Sequence, residues 1–225
     1  GYLKNSSGQN TTEKPSLLFV AAIHGDEHQG VNLTLKLASK LLGEYGIEPS
    51  STLLVNQRDI WVIPVVNPDG YQRYQRKSGR DNDGDGVRES KEGVDLNRNF
   101  GYQWGTDSHT SNTSSSTFYH GPHPFSEPET QAIRTLVQRV NFSSALPYHS
   151  GLSNPVFLSP WGYTQELLPA ADRANFSRLG ENLSHHTGYL AGPAADPAMG
   201  GYVAHGDLVD WLYANHSTYA WTVEL

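Results

Sequence analysis

An apolar run, Leu17 to Ile23 (LLFVAAI), ends abruptly in His24-Gly25-Asp26-Glu27, and this junction constrains the chain more than any other stretch. Bounded by Pro15 and Gly25, the run predicts a buried strand. A strand that presents an imidazole at its C-terminal tip, with a carboxylate three residues later, offers two zinc ligands, because both donor types suit Zn²⁺. A catalytic zinc takes three protein ligands and keeps one position for water, so a third must come from elsewhere. The best candidate is His149, which ends a second short apolar stretch, Ser144 to Ser150 (SALPYHS). Taken alone, H-x-x-E also reads as a surface turn. His28 adds another alternative: residues 24–28 spell H-x-x-E-H, a motif in which both histidines bind zinc and the glutamate is the base. That motif must lie on a helix, whereas His24 ends a strand and Gly25 breaks the run. His28 is therefore expected in the first turn of the next helix, with a surface role.

The 225 residues suffice for one domain with a sizeable core. A net charge of -7 and the lack of a basic stripe argue against a nucleic-acid partner. No apolar run approaches the roughly 18 residues of a membrane span. With no cysteine, disulfides and thiolate chemistry are excluded. Asn5, Asn10, Asn32, Asn112, Asn141, Asn175, Asn182 and Asn215 each begin an N-x-S/T sequon. Chance composition predicts about two; the excess reads either as a Ser/Thr/Asn-rich surface or, the favoured expectation, as acceptor sites of a secreted or extracellular glycoprotein.

Periodicity lays out the rest. Gly1 to Lys4 is a short strand candidate. Glu27 to Leu42 carries Val31, Leu35, Ala38 and Leu42 at helical spacing, closed by Gly43. Asp59 to Val66 (DIWVIPVV) is a second buried strand, in which Pro64 suggests an edge or bulge. Asn67-Pro68-Asp69-Gly70 is a turn by composition, and the chain onward to Phe125 is largely loop, with residues 106–117 mobile. Ser126-Glu127-Pro128-Glu129 predicts a capping box opening a helix to about Val140 that buries Ile133, Leu136, Val137 and Val140. After the His149 strand come a strand at Val156 to Leu158, a helix from Pro169 to Thr187 stopped by Gly188, and Gly/Ala/Pro-rich loops over 191–201. A short helix, Asp207 to Tyr213, leads into a last strand, Thr218 to Glu224. Strands alternating with helices predict an α/β three-layer sandwich, its central sheet mixed and largely parallel. Ligands in such folds gather outside the carboxyl ends of strands, where His24, His149 and Glu224 fall.

Asp95-Leu96-Asn97-Arg98-Asn99-Phe100 sets an arginine fork beside an amide, a natural clamp for a carboxylate. With His24, Glu27, the 67–70 NPDG, His149 and Glu224 in this order, the chain resembles the zinc metallocarboxypeptidase family, most closely its bacterial carboxypeptidase T branch. Residues 99–105 (NFGYQWG), 119–130 (YHGPHPFSEPET) and 206–224 (GDLVDWLYANHSTYAWTVE) carry the same likeness, which spans residues 1–225. The resemblance implies one catalytic zinc on His24, Glu27 and His149, with Asp95 supporting His24 from behind. It also implies Glu224 as general base and Arg76 as oxyanion donor. Asn97, Arg98 and Tyr202 would grip the terminal carboxylate of the substrate. Asp207 would pair with basic side chains, while Val209 and Thr222 leave apolar room, giving a broad hydrophobic-plus-basic preference. Asp207 also reads as a helix cap. Asp26 departs from relatives that carry arginine there. The expected domain is a single catalytic one, 1–225, without the family's usual N-terminal segment and C-terminal helix.

A calcium loop is suggested independently. Asp81, Asp83, Asp85 and Glu92 fall at positions 1, 3, 5 and 12, Gly86 at 6, and Val87 at the position that supplies a carbonyl. Arg88 and Gly93 argue for an isolated loop rather than a complete helix–loop–helix unit. The leading expectation is therefore a monomeric carboxypeptidase acting on peptide or protein C-termini. An amidase or deacylase of the same fold, acting on peptidoglycan stem peptides or N-acyl amino acids, is the alternative enzyme. A non-catalytic, metal-stabilised binding module is the third.

Overall fold

The computed structural model describes residues 3–4, 10–11, 14–105, 109–201 and 203–225. Strands β1 (Leu3–Lys4) and β2 (Asn10–Thr11) form a small antiparallel pair. The main sheet follows from β3 (Ser16–Ala21), β4 (Asp59–Ile63), β5 (Phe142–His149), β6 (Val156–Ser159), β7 (Leu190–Pro193), β8 (Tyr219–Ala220) and β9 (Thr222–Glu224). Its order is β4-β3-β5-β9-β6-β7, with β8 beside β5; all pairs are parallel except β6 with β9. Helices are α1 (Gln29–Glu44), α2 (Pro49–Gln57), α3 (Pro68–Arg73), α4 (Pro128–Arg139), α5 (Ala170–Thr187) and α6 (Leu208–His216).

Alternate residues of β3 feed opposite layers. Leu18 and Val20 join Ile133 and Val137 of α4 and Leu208 and Trp211 of α6, while Ala21 joins Val31 of α1 and Phe176 of α5. The α/β sandwich with a mixed, largely parallel sheet is thus as expected; β4, expected as a buried strand reaching Val66, is instead an edge strand that stops at Ile63, before Pro64, with its residues half-buried or exposed.

Several local expectations are corrected. The stripe of α1 that is buried is Gly30, Val31, Thr34 and Leu41, while Leu35 and Leu42 are exposed. Gly30 turns the helix onto the sheet: a Cβ there would meet Tyr148 Cβ at 2.7 Å and Ala21 Cβ at 3.1 Å. Gly43 does not stop α1, which runs on to Glu44. The NPDG turn is instead the start of α3: Pro68 at its first position has the right φ, and the Asn67 side chain accepts from Gly70 N at 2.9 Å. Ser126 does not cap α4, whose N-cap is Glu127, with no side-chain bond to the first-turn N–H groups. Its hydroxyl instead donates to Glu127 Oε1 and accepts from Asn99 Nδ2. Helix α2 and strand β7 were unanticipated, and the last strand splits at Trp221 into β8 and β9. Residues 109–117 are tied down, by Ser111 N to Phe118 O at 3.0 Å and Ser116 N to Thr113 O at 2.9 Å.

One junction aligns the site. Glu224 lies beside His149 in register, as Tyr148 lies beside Ala21, so β3, β5 and β9 end along one edge. After β3 the chain runs against the 67–77 segment: Gly25 N donates to Arg76 O at 3.2 Å, and Asn67 Nδ2 reaches Arg76 O at 3.2 Å and Lys77 O at 3.1 Å. A Cβ on Gly25 would lie 2.1 Å from Gly70 C and 2.4 Å from Tyr71 N, both backbone atoms. Gly25→Ala is therefore expected to destabilise the fold by more than about 2 kcal/mol, read as a lowered midpoint in thermal or urea unfolding. Wild-type stability would reject this close approach.

Candidate metal centre and active site

His24 and Glu27 sit in the turn after β3, and His149 ends β5. Their donor atoms converge. His24 Nδ1 lies 2.7 Å from Glu27 Oε1, His149 Nδ1 lies 2.9 Å from Glu27 Oε2, and the two Nδ1 atoms are 3.2 Å apart. His24 Nε2 faces Asp95 Oδ1 at 3.1 Å. That carboxylate accepts only, so a proton on Nε2 bonds to it and leaves the Nδ1 lone pair for a cation in the cluster. Two imidazole nitrogens and a carboxylate aimed at one point fit a divalent cation. Nitrogens each about 2.0–2.1 Å from a tetrahedral zinc stand about 3.3 Å apart, close to the spacing here. Ser150 N donates to Glu27 Oε2 at 3.2 Å and fixes the carboxylate. His28 stays outside the cluster, stacked with Tyr71 and Tyr74 at ring separations of 4.1 Å, so the H-x-x-E-H alternative is excluded geometrically.

Asp95 organises the second layer. Its Oδ2 accepts from Arg76 Nε at 3.0 Å and Nη2 at 2.8 Å, and its Oδ1 also accepts from Asn97 N at 3.0 Å. Burial opposes its ionisation, yet Arg76, His24 and Arg98 hold its carboxyl well below the usual range. Glu27 is likewise resisted by burial and still driven low by the two imidazoles. Glu224 moves the other way: burial raises it, helped by the Glu27 charge.

His24, Glu27, Arg76, His149 and Glu224 line a cavity of about 260 Å³ together with Asn97, Phe118, Leu152, Leu158, Gly162, Ala194, Ala204, Asp207 and Thr222, while Asp95 lies wholly buried behind it. A larger cavity, about 860 Å³ between α5 and the 159–168 loop, holds none of them. Asp207 both lines the smaller cavity and caps α6, accepting from Asp210 N at 2.7 Å. Burial raises its carboxyl; Asp210, beside it, is raised by burial and by the Asp207 charge. Val209 is not a wall residue but part of the core. Arg98 is 1% exposed and absent from the lining, its Nη1 donating to Asn97 O at 2.7 Å. Tyr202 lies outside the described residues.

The acidic loop gathers donor atoms in two sets, Asp81 with Asp83 and Asp85, and Asp83 with Glu89 and Glu92. Its carboxylates already accept backbone N–H groups: Asp81 those of Gly84 and Gly86, Asp85 that of Val87, and Glu92 those of Asn82 and Glu89. Sequence reasoning missed Phe118 and Lys77. Phe118 had no motif to announce it, while Lys77 gave a signal only as a cation next to Arg76.

Elemental analysis is expected to find one zinc per chain. His149→Ala should abolish it, and Asp95→Asn should weaken zinc binding 10–100-fold, read by competition with a chelator. Full zinc retention by His149→Ala would refute the centre.

The sequence matches the zinc carboxypeptidase family (Peptidase_M14) over residues 2–225. It is 32% identical to mouse (Mus musculus) carboxypeptidase A4 across 99% of this chain and 53% of that protein. A crystal structure of a carboxypeptidase A from Helicoverpa armigera superposes with a TM-score of 0.79 at 27% identity, covering 99% of this chain and 57% of that one. The Escherichia coli O157 murein-tripeptide amidase MpaA shares the fold, with a TM-score of 0.58 at 24% identity over 99% of this chain and 80% of its own. The chain spans about half the length of the curated relatives it matches. A sequence match along nearly the whole chain, joined to this fold, makes the protein a member of the zinc carboxypeptidase family.

Proposed function

We propose that this chain forms the catalytic body of a zinc-dependent carboxypeptidase that hydrolyses the C-terminal bond of peptides. The convergence of His24, Glu27 and His149 on one edge of a cavity that also holds Arg76 and Glu224 carries this reading. His24, Glu27 and His149 would hold the metal, with Asp95 orienting His24. Zinc bound there would supply a Lewis acid and lower the pKa of a bound water toward neutrality. Glu224, made more basic by burial, would take the proton of the attacking water and pass it to the leaving amine. Arg76, its Nε and Nη2 anchored on Asp95, would donate to the oxygen of the scissile carbonyl as negative charge develops.

Asn97, with Arg98 beneath it and Tyr202, would receive the terminal carboxylate. The burial of Arg98 is the one observation favouring the amidase reading, which needs no such clamp. Hippuryl-phenylalanine and its C-terminal amide separate the two. Cleavage of the free acid alone is expected, and Glu224→Gln should lower kcat 10²–10⁴-fold, that is by about 3–5 kcal/mol in barrier. Equal cleavage of the amide would reject the carboxypeptidase reading, and no cleavage of either would favour a binding module.

Export is supported by the sequons. Asn32, Asn112, Asn141, Asn182 and Asn215 are exposed and Asn175 is half-buried, with none lining the cavity. Among the described residues no helix is long and apolar enough to cross a membrane. The acidic loop is our candidate for a calcium site, and Lys77 joins it to the cleft by donating to the carbonyls of Lys91, Ser114 and Ser116.

Side-chain preference would follow Asp207 amid Leu158, Ala194, Ala204 and Thr222, accepting apolar and basic residues. Because burial raises the Asp207 carboxyl, it is neutral over a wider acidic range than an ordinary carboxyl, and its attraction for a cation grows as pH rises. The kcat/KM ratio of arginine- over phenylalanine-terminated substrates is therefore expected to climb with pH. Asp207→Asn, which keeps a capping side chain, should flatten the climb. An unchanged profile in that variant would remove Asp207 from specificity.

A further inference from the structure

Phe118 lines the cavity and is 41% exposed as a residue, which its apolar character does not favour. The guanidinium carbons of Arg76 and Arg98 both lie over that ring, each 5.6 Å from its centroid. An aromatic face attracts cations through its quadrupole, most strongly where water is excluded, and Arg98 is fully buried. The ring is also built into the frame that holds the arginines. Tyr119 O, the next carbonyl, accepts from Asp95 N at 2.8 Å, and Asp95 is the carboxylate that grips Arg76. Phe118 O accepts from Ser111 N at 3.0 Å, and Lys77, next to Arg76, binds the carbonyls of Ser114 and Ser116 at 2.8 and 3.0 Å. A phenylalanine tethered at both ends, with two like-charged groups over its ring, is arranged to set where those groups stand.

We propose that Phe118 is a positioning residue: by cation–π attraction it holds Arg76 at the cavity, where a scissile carbonyl would lie, and Arg98 beneath Asn97, where it supports the receiving end for a terminal carboxylate. This inference rests on the carboxypeptidase reading. It assigns Phe118 no contact with the reacting atoms; the ring acts through the two guanidinium groups. Asp95 neutralises part of their charge, and the aromatic face supplies attraction that a second carboxylate could give only by competing with substrate.

The test replaces Phe118 by 4-fluoro-, 3,5-difluoro- and 3,4,5-trifluorophenylalanine, which drain the ring quadrupole with little change of shape. Phe118→Tyr and Phe118→Leu serve as conservative and non-aromatic controls. Two quantities are read on zinc-loaded protein: hydrolysis of hippuryl-phenylalanine and calorimetric binding of 3-phenylpropionate, a carboxylate with no scissile bond. Stepwise loss is expected in kcat/KM, reaching about tenfold for the trifluoro variant, with parallel weakening of 3-phenylpropionate binding. Phe118→Tyr should stay close to wild type and Phe118→Leu should fall at least as far as the trifluoro form. A flat or rising series overturns the proposal, the rise identifying the ring as an obstruction over Arg98. Wild-type protein that binds 3-phenylpropionate but leaves hippuryl-phenylalanine intact removes the carboxypeptidase reading; the binding series then decides Phe118 alone. Absence of binding to wild type overturns the proposal as well.

Discussion

The carboxylate of Asp95 is the constraint on which the site depends. It is wholly buried, and it accepts from His24 Nε2, from two nitrogens of Arg76 and from Asn97 N. A buried carboxylate is costly unless its charge is paired and its lone pairs are filled. Here the partners that satisfy it are the groups whose orientation the site requires. One imidazole is held by its Nε2, one guanidinium is aimed at the cavity, and the short 3₁₀ turn carrying Asn97 and Arg98 is capped by the same side chain. Removing the charge would therefore release three elements together.

Around that anchor the architecture works by bringing strand ends into line. Parallel pairing sets β3, β5 and β9 with their C-terminal tips on one edge, so groups separated by more than a hundred residues meet there. The loops beyond the tips are kept short of freedom by backbone contacts rather than by side-chain bulk. Gly25 lets the turn after β3 touch α3 at Gly70, and Asn67 bonds the carbonyls of Arg76 and Lys77. Lys77 extends this tethering to the acidic loop and to the segment bearing Phe118. Rigidity at the cleft is thus assembled from hydrogen-bonded main chain, which a composition rich in Gly, Ser and Asn would otherwise leave loose.

Strand β3 was legible because burial leaves a continuous apolar run, LLFVAAI, whereas β7, half-buried or exposed throughout, left none. Helix α5 was legible because Gly188, at φ +78, marks its end with a conformation few other residues accept. Errors arose where two local rules competed. Pro68 after Asn67 suits a turn and a helix start equally, and long-range bonding from Asn67 made it the start of α3. The spacing of α1 gave several possible stripes, and the close fit of Gly30 against Tyr148 selected one. Ser126 lost its capping role because Asn99 claims its hydroxyl. In the site, His24, Glu27, His149 and Glu224 were readable as residues at strand tips, and Arg76 and Asp95 through family likeness. Phe118 was not, since its cation–π partners Arg76 and Arg98 lie on other segments of the chain and leave no periodic mark.

By itself, the sequence determined the alternating α/β order, the identity of the donor groups and their position at the ends of apolar runs, because burial and donor chemistry are local properties of residues. Only the tertiary structure decided which groups meet: that the imidazoles turn Nδ1 toward each other, that His28 is diverted into an aromatic stack, and that Arg98 lies beneath the cavity wall while Phe118 faces it. Those outcomes depend on sheet register and on contacts between segments far apart in the chain, and no local pattern encodes the angle at which two distant loops arrive.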